Sequence, residues 1–388
     1  MPAPASASAV TTLLPARFVN SGEAVRRFGR RAEALGHGLT RGDEQGDAVA
    51  AALRRLDPRE RQCVVEWMSH PDGEPPRATP RPLRALVTSL LSVPTWVDFH
   101  RCDRGARAFR RSGLLGAVAL AFRSLPGSYL APGGNKPLVF TRRLLEDTRQ
   151  RMRHTADFVE GICSTDWRAR TFLGEATLLR VRLAHAHVRA GLLASGRWRT
   201  DDWGMPLNQS DMASTVLVFS LIAADGVSML GGRFTDDELA DLLHLWRYAG
   251  HVLGVVDALL CHDVAEAREM LELVELTQAP ADDDSRALIE ALLSANFPYL
   301  PRLPPRLATP CKRALLRYLV GPARADRAGV PAGSLDPIAL PLVATGFRVA
   351  APVLAAVSLD QLAAVGSGVA RMAGALRAWR GDAHRGHP

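Results

Sequence analysis

The sequence predicts an all-α fold, a single large helical domain, and three observations carry that expectation. Long stretches place apolar residues at i, i+3, i+4 and i+7. Period-two alternation bounded by turn residues is rare. The breaks between helical stretches are short and rich in proline and glycine, and none is long or polar enough for an interdomain linker. With 388 residues, 47% of them apolar, the chain can bury a sizeable core. No internal repeat appears. One domain is therefore expected over 19–380, with flexible tails at 1–18 and 381–388.

The elements follow in order. "HPDGEPPRATPRP" (70–82) and "SLPGSYLAPGGNKP" (124–137) predict connectors. "LLEDTRQRMRHTADFVEGI" (144–162) predicts an amphipathic helix, and 174–195 predicts another with Gly196 as its stop. "SGRWRTDDWGMPLNQS" (195–210) links two helices, "QAPADDDSR" (278–286) is a further loop, and "FPYLPRLPPRLATP" (297–310) is too proline-rich for a helix. The apolar stretch 337–357 is broken by Pro341, Arg348 and Pro352, so it predicts a C-terminal helix and no stable membrane span.

Composition narrows the function classes. The net charge is +8, but only Lys136 and Lys312 are lysines. A chain rich in Ala, Arg, Gly and Pro and nearly free of lysine reflects coding bias, and its arginines lie along helices beside Asp and Glu. No nucleic-acid partner is expected. The five cysteines, Cys63, Cys102, Cys163, Cys261 and Cys311, form no CxxC pair, so neither a zinc site nor a disulfide framework is indicated. The arginine pairs at 26–27 and 30–31 are followed by no apolar h-region. A reducing cytoplasm is expected.

Two helices carry the candidate chemistry. In "RVRLAHAHVR" (180–189), His185 shares a face with Leu178, Val181, Val188 and Leu192, flanked by Arg182 and Arg189. His187 falls on nearly the opposite side, so the two histidines cannot serve one site. On the preceding helix, Arg151, His154 and Thr155 lie within about 100° of one another, on the face of Leu144 and Phe158. A cation, an imidazole and a hydroxyl on an apolar face are costly to bury unless they share partners. One explanation is a structural hydrogen-bond network. The other is a pair of helices flanking haem, which needs a neutral imidazole, apolar walls and arginines for its propionates.

Several motifs then occur in order: "VPTWVD" (93–98), "RVRLAHAHVR", "WGMPLNQSDMASTVLVFS" (203–220), "LWRYAGHVLGV" (245–255) and "RLATPCKRALLRYLVGPARADRAGVP" (306–331). Over roughly 80–335 the chain resembles the latex-clearing proteins (rubber oxygenases) and the wider MpaB-like oxygenase family. The resemblance implies a haem b protein with a globin-like, all-α core that uses dioxygen as co-substrate. It implies His185 as the proximal iron ligand. It also implies Arg151 and Thr155 on the distal face, as hydrogen-bond donors to dioxygen. His154 stands where the latex-clearing proteins have lysine, and two roles are open to it: a sixth iron ligand, or a donor and proton relay that stays off the iron. A surface histidine remote from haem is the third reading. Arg182 and Arg189 are candidate propionate partners or, equally, a solvated face. A family glutamate would fall near Asn135, so no base carries over there.

Other candidates are structural. Asn208 and Gln209 are expected to cap a helix and tie a loop to the core, with Asp211 in the first turn. Arg247 and His251, at i and i+4, predict a second polar cluster, and Gly250 and Gly254 permit close packing. "LGG" (230–232) lacks the strand of a nucleotide loop. His262-Asp263 lacks a nucleophile elbow.

The reading is a haem b-dependent oxygenase acting on an apolar, olefinic small molecule of secondary metabolism, by double-bond cleavage or oxygenation. The alternative is a non-catalytic bis-His haem or apolar-ligand binding protein, and a helical domain without cofactor is the third. With no export signal read, an extracellular polymer is not the expected substrate. No oligomeric state is implied.

Overall fold

The protein is described from a computed structural model that covers residues 14–69, 74–140, 148–169, 171–295 and 305–333, together with residue 341 and 345–352. Helices make up the described residues, in the order α1 (Ser21–Phe28), α2 (Arg30–Gly38), α3 (Glu44–Leu53), α4 (Pro58–Ser69), α5 (Arg81–Leu91) and α6 (Phe99–Arg111). Then come α7 (Gly113–Tyr129), α8 (Pro132–Phe140), α9 (Thr148–Ser164), α10 (Leu173–Ala194), α11 (Thr200–Trp203) and α12 (Gln209–Met229). The last are α13 (Asp236–Val252), α14 (Val264–Thr277), α15 (Asp283–Ser294), α16 (Pro305–Val320) and α17 (Pro322–Arg327). Among the described residues the sole strand-like pairing is an isolated bridge between Phe18 and Gln278. The all-α expectation is met.

Local chemistry starts many of these helices. Asp43, Asp98, Asn208, Asp263 and Asp282 each accept a hydrogen bond from a first-turn backbone N–H as N-caps of α3, α6, α12, α14 and α15. Thr235 and Glu238 form a reciprocal capping box at the start of α13.

Helix α13 is the central rod. Leu242, Leu243, Leu245, Trp246, Tyr248, Ala249 and Val252 are buried around its whole circumference, the pattern of a core helix. It crosses α6 where Gly105 meets the Asp241 backbone: a Cβ at Gly105 would lie 2.4 Å from the Asp241 carbonyl oxygen. Arg101 and Arg104 reach from α6 to the buried Asp241 carboxylate at 2.8 and 2.6 Å. A second apolar cluster, built on Phe122, Tyr129, Leu292 and Leu316, joins α7, α15 and α16. Helices α7 and α12 each contain one π-helical turn, at Leu120–Ser124 and Val218–Ile222. The two are linked by Ser124 Oγ donating to the Val218 carbonyl at 3.0 Å.

Several connectors are more helical than predicted. The stretch 124–137 holds the end of α7 and the start of α8: Pro132 opens α8 in a first-turn position where no N–H is required, and Pro126 follows just after the π-helical turn of α7. Pro305 opens α16 in the same way, and Pro310 is tolerated inside it. Part of the expected N-terminal tail is packed: Phe18 is buried, and so is Arg17, which donates to the Asp211 carboxylate at 2.9 Å. The tail 381–388 lies outside the described residues, as do 144–147 of the predicted 144–162 helix. Among the described residues α12 is long and apolar enough to cross a membrane, but half of it is buried inside the protein. Residues 345–352 are helical, with Val349 exposed and Ala351 buried.

Candidate active site

Helix α10 presents Arg182, His185 and Arg189 on one face, at i, i+3 and i+7. Periodicity put His185 on the apolar stripe. Leu178 and Leu192 of that stripe are buried, Val181 and Val188 half-buried, and His187 on the other side is exposed. Burial pushes the His185 imidazole down to about 4, with the Arg189 guanidinium pushing the same way and Asp43 opposing both. The ring is therefore neutral at physiological pH. Its Nδ1 is buried and has no hydrogen-bond partner among the described residues. The residue as a whole is half-buried. An imidazole in that state has a lone pair to give.

The flanking arginines face α3. Arg182 is 4% exposed and forms a bidentate pair with Asp43, Nε–Oδ2 at 2.6 Å and Nη2–Oδ1 at 2.8 Å. It also donates to Gln45 Oε1 at 3.2 Å and to the Val252 carbonyl at 3.1 Å. Gly254 permits this approach: its φ is +86°, and a Cβ there would lie 2.7 Å from Arg182 Cζ. Gln209 buttresses the same place, donating to the Gly42 and Gly254 carbonyls and accepting from the Val256 N–H. Arg189 is 2% exposed and donates from Nε to Asp47 Oδ2 at 3.3 Å, while its Nη1 is buried without a partner. Burial pushes Arg189 down and the Asp47 carboxyl up, each partly offset by the other. Arg182 and Arg189, read as propionate partners or equally as a solvated face, are both buried, so the solvated-face reading fails, and the two divide. Arg182 has committed its donors to the protein, and Arg189 keeps one to give.

The other arm is α9. Counted from the turn between the arms, His154 is ten residues before Ser164 and His185 twelve residues after Leu173. His154 is exposed and Thr155 half-buried. Arg151 lies on the α9 backbone, and its side chain is outside the described residues. One turn below His154, Phe158 meets the Phe219 and Trp246 rings with centroids 6.0 Å away in each case. Trp167 locks the turn: its indole donates to the Ile162 carbonyl at 3.1 Å, and its ring fills the space over Gly174.

The remaining predicted residues are structural. Asn208 caps α12, and Asn135 is buried, donating to the Tyr129 carbonyl and to Ser285 Oγ. Arg247 and His251 do form a second cluster, around Trp96. Sequence reasoning missed Asp43 and Asp47. Asp43 carries a local signal as an N-cap, but its arginine partner lies 139 positions away. No cluster of three or more His, Cys, Asp or Glu side chains could hold a metal ion among the described residues. A prosthetic group held by one axial imidazole has a different requirement, and His185 with its unpaired nitrogen meets it.

This is an all-α protein with a neutral imidazole, His185, set on α10 between two buried arginines that pair with Asp43 and Asp47. The model of the family described as "ER-bound oxygenase mpaB/B'/Rubber oxygenase, catalytic domain" matches residues 106–356. The chain belongs to that family and is an oxygenase. It is similar to the rubber oxygenase of Streptomyces sp. (strain K30), 26% identical over 313 residues, spanning 79% of this chain and 74% of that protein. Its fold is similar to that of latex clearing protein LCP in the closed state. The TM-score is 0.66 at 23% identity, over 82% of this chain and 84% of the other.

Proposed function

We propose that this oxygenase is haem b-dependent and acts on an apolar, olefinic small molecule, and that His185 would be the residue that holds the iron. The observation that carries the reading is the enclosed, neutral imidazole with a nitrogen left unpaired. Haem would supply the redox-active iron at which dioxygen reacts. The chain's own residues hold and shape the site. The Arg182–Asp43 pair fixes the pitch of α10, and with it the direction of the His185 ring. Arg189 Nη1 is the free donor for a carboxylate of the macrocycle. Thr155 offers a hydroxyl and Arg151 a guanidinium on the opposite arm, as donors to dioxygen. The half-buried Val181, Val188 and Phe158 keep the space apolar and exclude water.

His154 takes the role of donor and proton relay in this proposal, because its exposure suits exchange with solvent. The reading treats 19–380 as one catalytic domain in a reducing, cytoplasmic compartment. Oxidative cleavage of a double bond and its oxygenation are the reactions in scope.

An absorption spectrum of the protein expressed with haem supply, with and without dithionite, tests the proposal. A Soret band that shifts on reduction and collapses in His185→Ala is expected. No band in the wild type would sink the haem reading, and a band intact in His185→Ala would move the ligand elsewhere. A ferric spectrum that changes from low to high spin in His154→Ala would put His154 on the iron.

A further inference from the structure

On α13, His244, Arg247 and His251 repeat the i, i+3, i+7 spacing of α10 and face the segment 92–98. Arg247 is 6% exposed. Its Cζ lies 3.8 Å from the centroid of the Trp96 ring, and the ring edges of His244 and His251 meet the same indole at 5.7 and 6.0 Å. Among the described residues its guanidinium makes no hydrogen bond and no ion pair, and its Nε is buried without a partner. Asp257 and Glu266 act on it only as charges at a distance, and Arg101 repels it. His251, one turn on, holds Nδ1 3.5 Å from Asp257. His244 accepts from the Asp98 N–H at 3.0 Å. Neither takes a proton donor from Arg247.

A guanidinium buried to this extent ordinarily has a carboxylate or carbonyl partner, as every other buried arginine among the described residues does: Arg17, Arg182, Arg189 and Arg317 all donate to one. The attraction to the Trp96 face is real but smaller than the cost of stripping water from the cation. Stacking also leaves the donors free, because the N–H bonds all lie in the guanidinium plane and the indole covers only a face. The Nη edge therefore has no acceptor among the described residues and lies beside the indole. A planar anion with an apolar body fits that edge, and it could take two parallel hydrogen bonds.

We propose that Arg247, stacked on Trp96, is a binding site for the carboxylate of a small apolar acid. The site lies on a different helix from His185, and the proposal does not depend on haem.

Titration of the purified protein with hexanoate at fixed ionic strength, followed by thermal midpoint and calorimetry, tests it. Hexanol controls for the apolar tail and inorganic phosphate for an anion of another shape. Saturable hexanoate binding is expected, at least tenfold tighter than hexanol or phosphate, and lost at least tenfold in Arg247→Gln. Arg247→Lys keeps the charge and the ring contact, so it should fold even if Arg247→Gln does not, yet lose most of the hexanoate affinity. In nitrogen NMR, the Nε–H resonance that is missing in Arg247→Lys should move as wild type saturates. Hexanoate binding unchanged in Arg247→Lys overturns the site, as does hexanol matching hexanoate. Phosphate binding tighter than hexanoate overturns the carboxylate assignment.

Discussion

Helices α10 and α13 carry the same spacing of arginine and histidine and settle their charges in opposite ways. On α10 the order is Arg, His, Arg, and each guanidinium meets a carboxylate of α3: Asp43 for Arg182 and Asp47 for Arg189. On α13 the order is His, Arg, His, and the guanidinium meets an indole. The histidines differ correspondingly. His244 uses a ring nitrogen to accept a backbone N–H, whereas His185 leaves Nδ1 unpaired. The lesson is that identical spacing on two core helices gives a clamp in one place and an open donor set in the other, and the facing element decides which. The carboxylates of the clamp precede residues 106–356, so the candidate site draws on a helix outside the family-matched segment.

The largest expected effect breaks the clamp. Arg182→Met or Asp43→Ala leaves one buried charge without its partner and should destabilise the protein by roughly 3–5 kcal/mol, read from urea denaturation midpoints. A loss below about 1 kcal/mol would mean that α3 does not fix α10.

Acid should act next. Folded His185 is pushed down to about 4, whereas an unfolded histidine titrates near 6.5. The unfolded state therefore binds the proton first. The stabilisation is full above about pH 6.5 and is lost as pH falls towards 4, at about 1.4 kcal/mol for each unit separating the two values. His244, also pushed down to about 4 by burial, adds a loss in the same window. Chemical denaturation at stepped pH should show a shallower slope in His185→Leu, and an unchanged slope would argue against the enclosed, neutral ring.

On the other helix, Arg247→Met should cost about 1 kcal/mol or less, because it removes a buried cation that no partner needs. A loss as large as that of Arg182→Met would reveal a carboxylate partner and erase the contrast between the helices. The smallest effect belongs to His187→Ala. That side chain is exposed, so stability should move within about 0.5 kcal/mol and the Soret band of haem-loaded protein should not move.

Much of this was legible in the sequence because it is local. The period of 3.6 residues separated His185 from His187, and the capping chemistry of Asn208 could be read three residues from its target. The second cluster at Arg247 and His251 was visible as a spacing, although Trp96 as its partner was not. Proline misled the reading at 124–137 and 305–310, since a proline in the first turn of a helix costs no hydrogen bond and resembles one in a loop.

The sequence by itself determined the helical class, the stripe that carries His185, and the family motifs around it, since each depends on neighbours within a turn or two. Tertiary structure alone decided which donors are free. Arg182 and Arg189 look equivalent along α10, and only the arrival of Asp43 and Asp47 from far along the chain distinguishes them. Arg247 looks like either, and only the ring that meets it makes it different. Burial and pairing are set by what lies across the interface, and a helix's own periodicity carries no record of that.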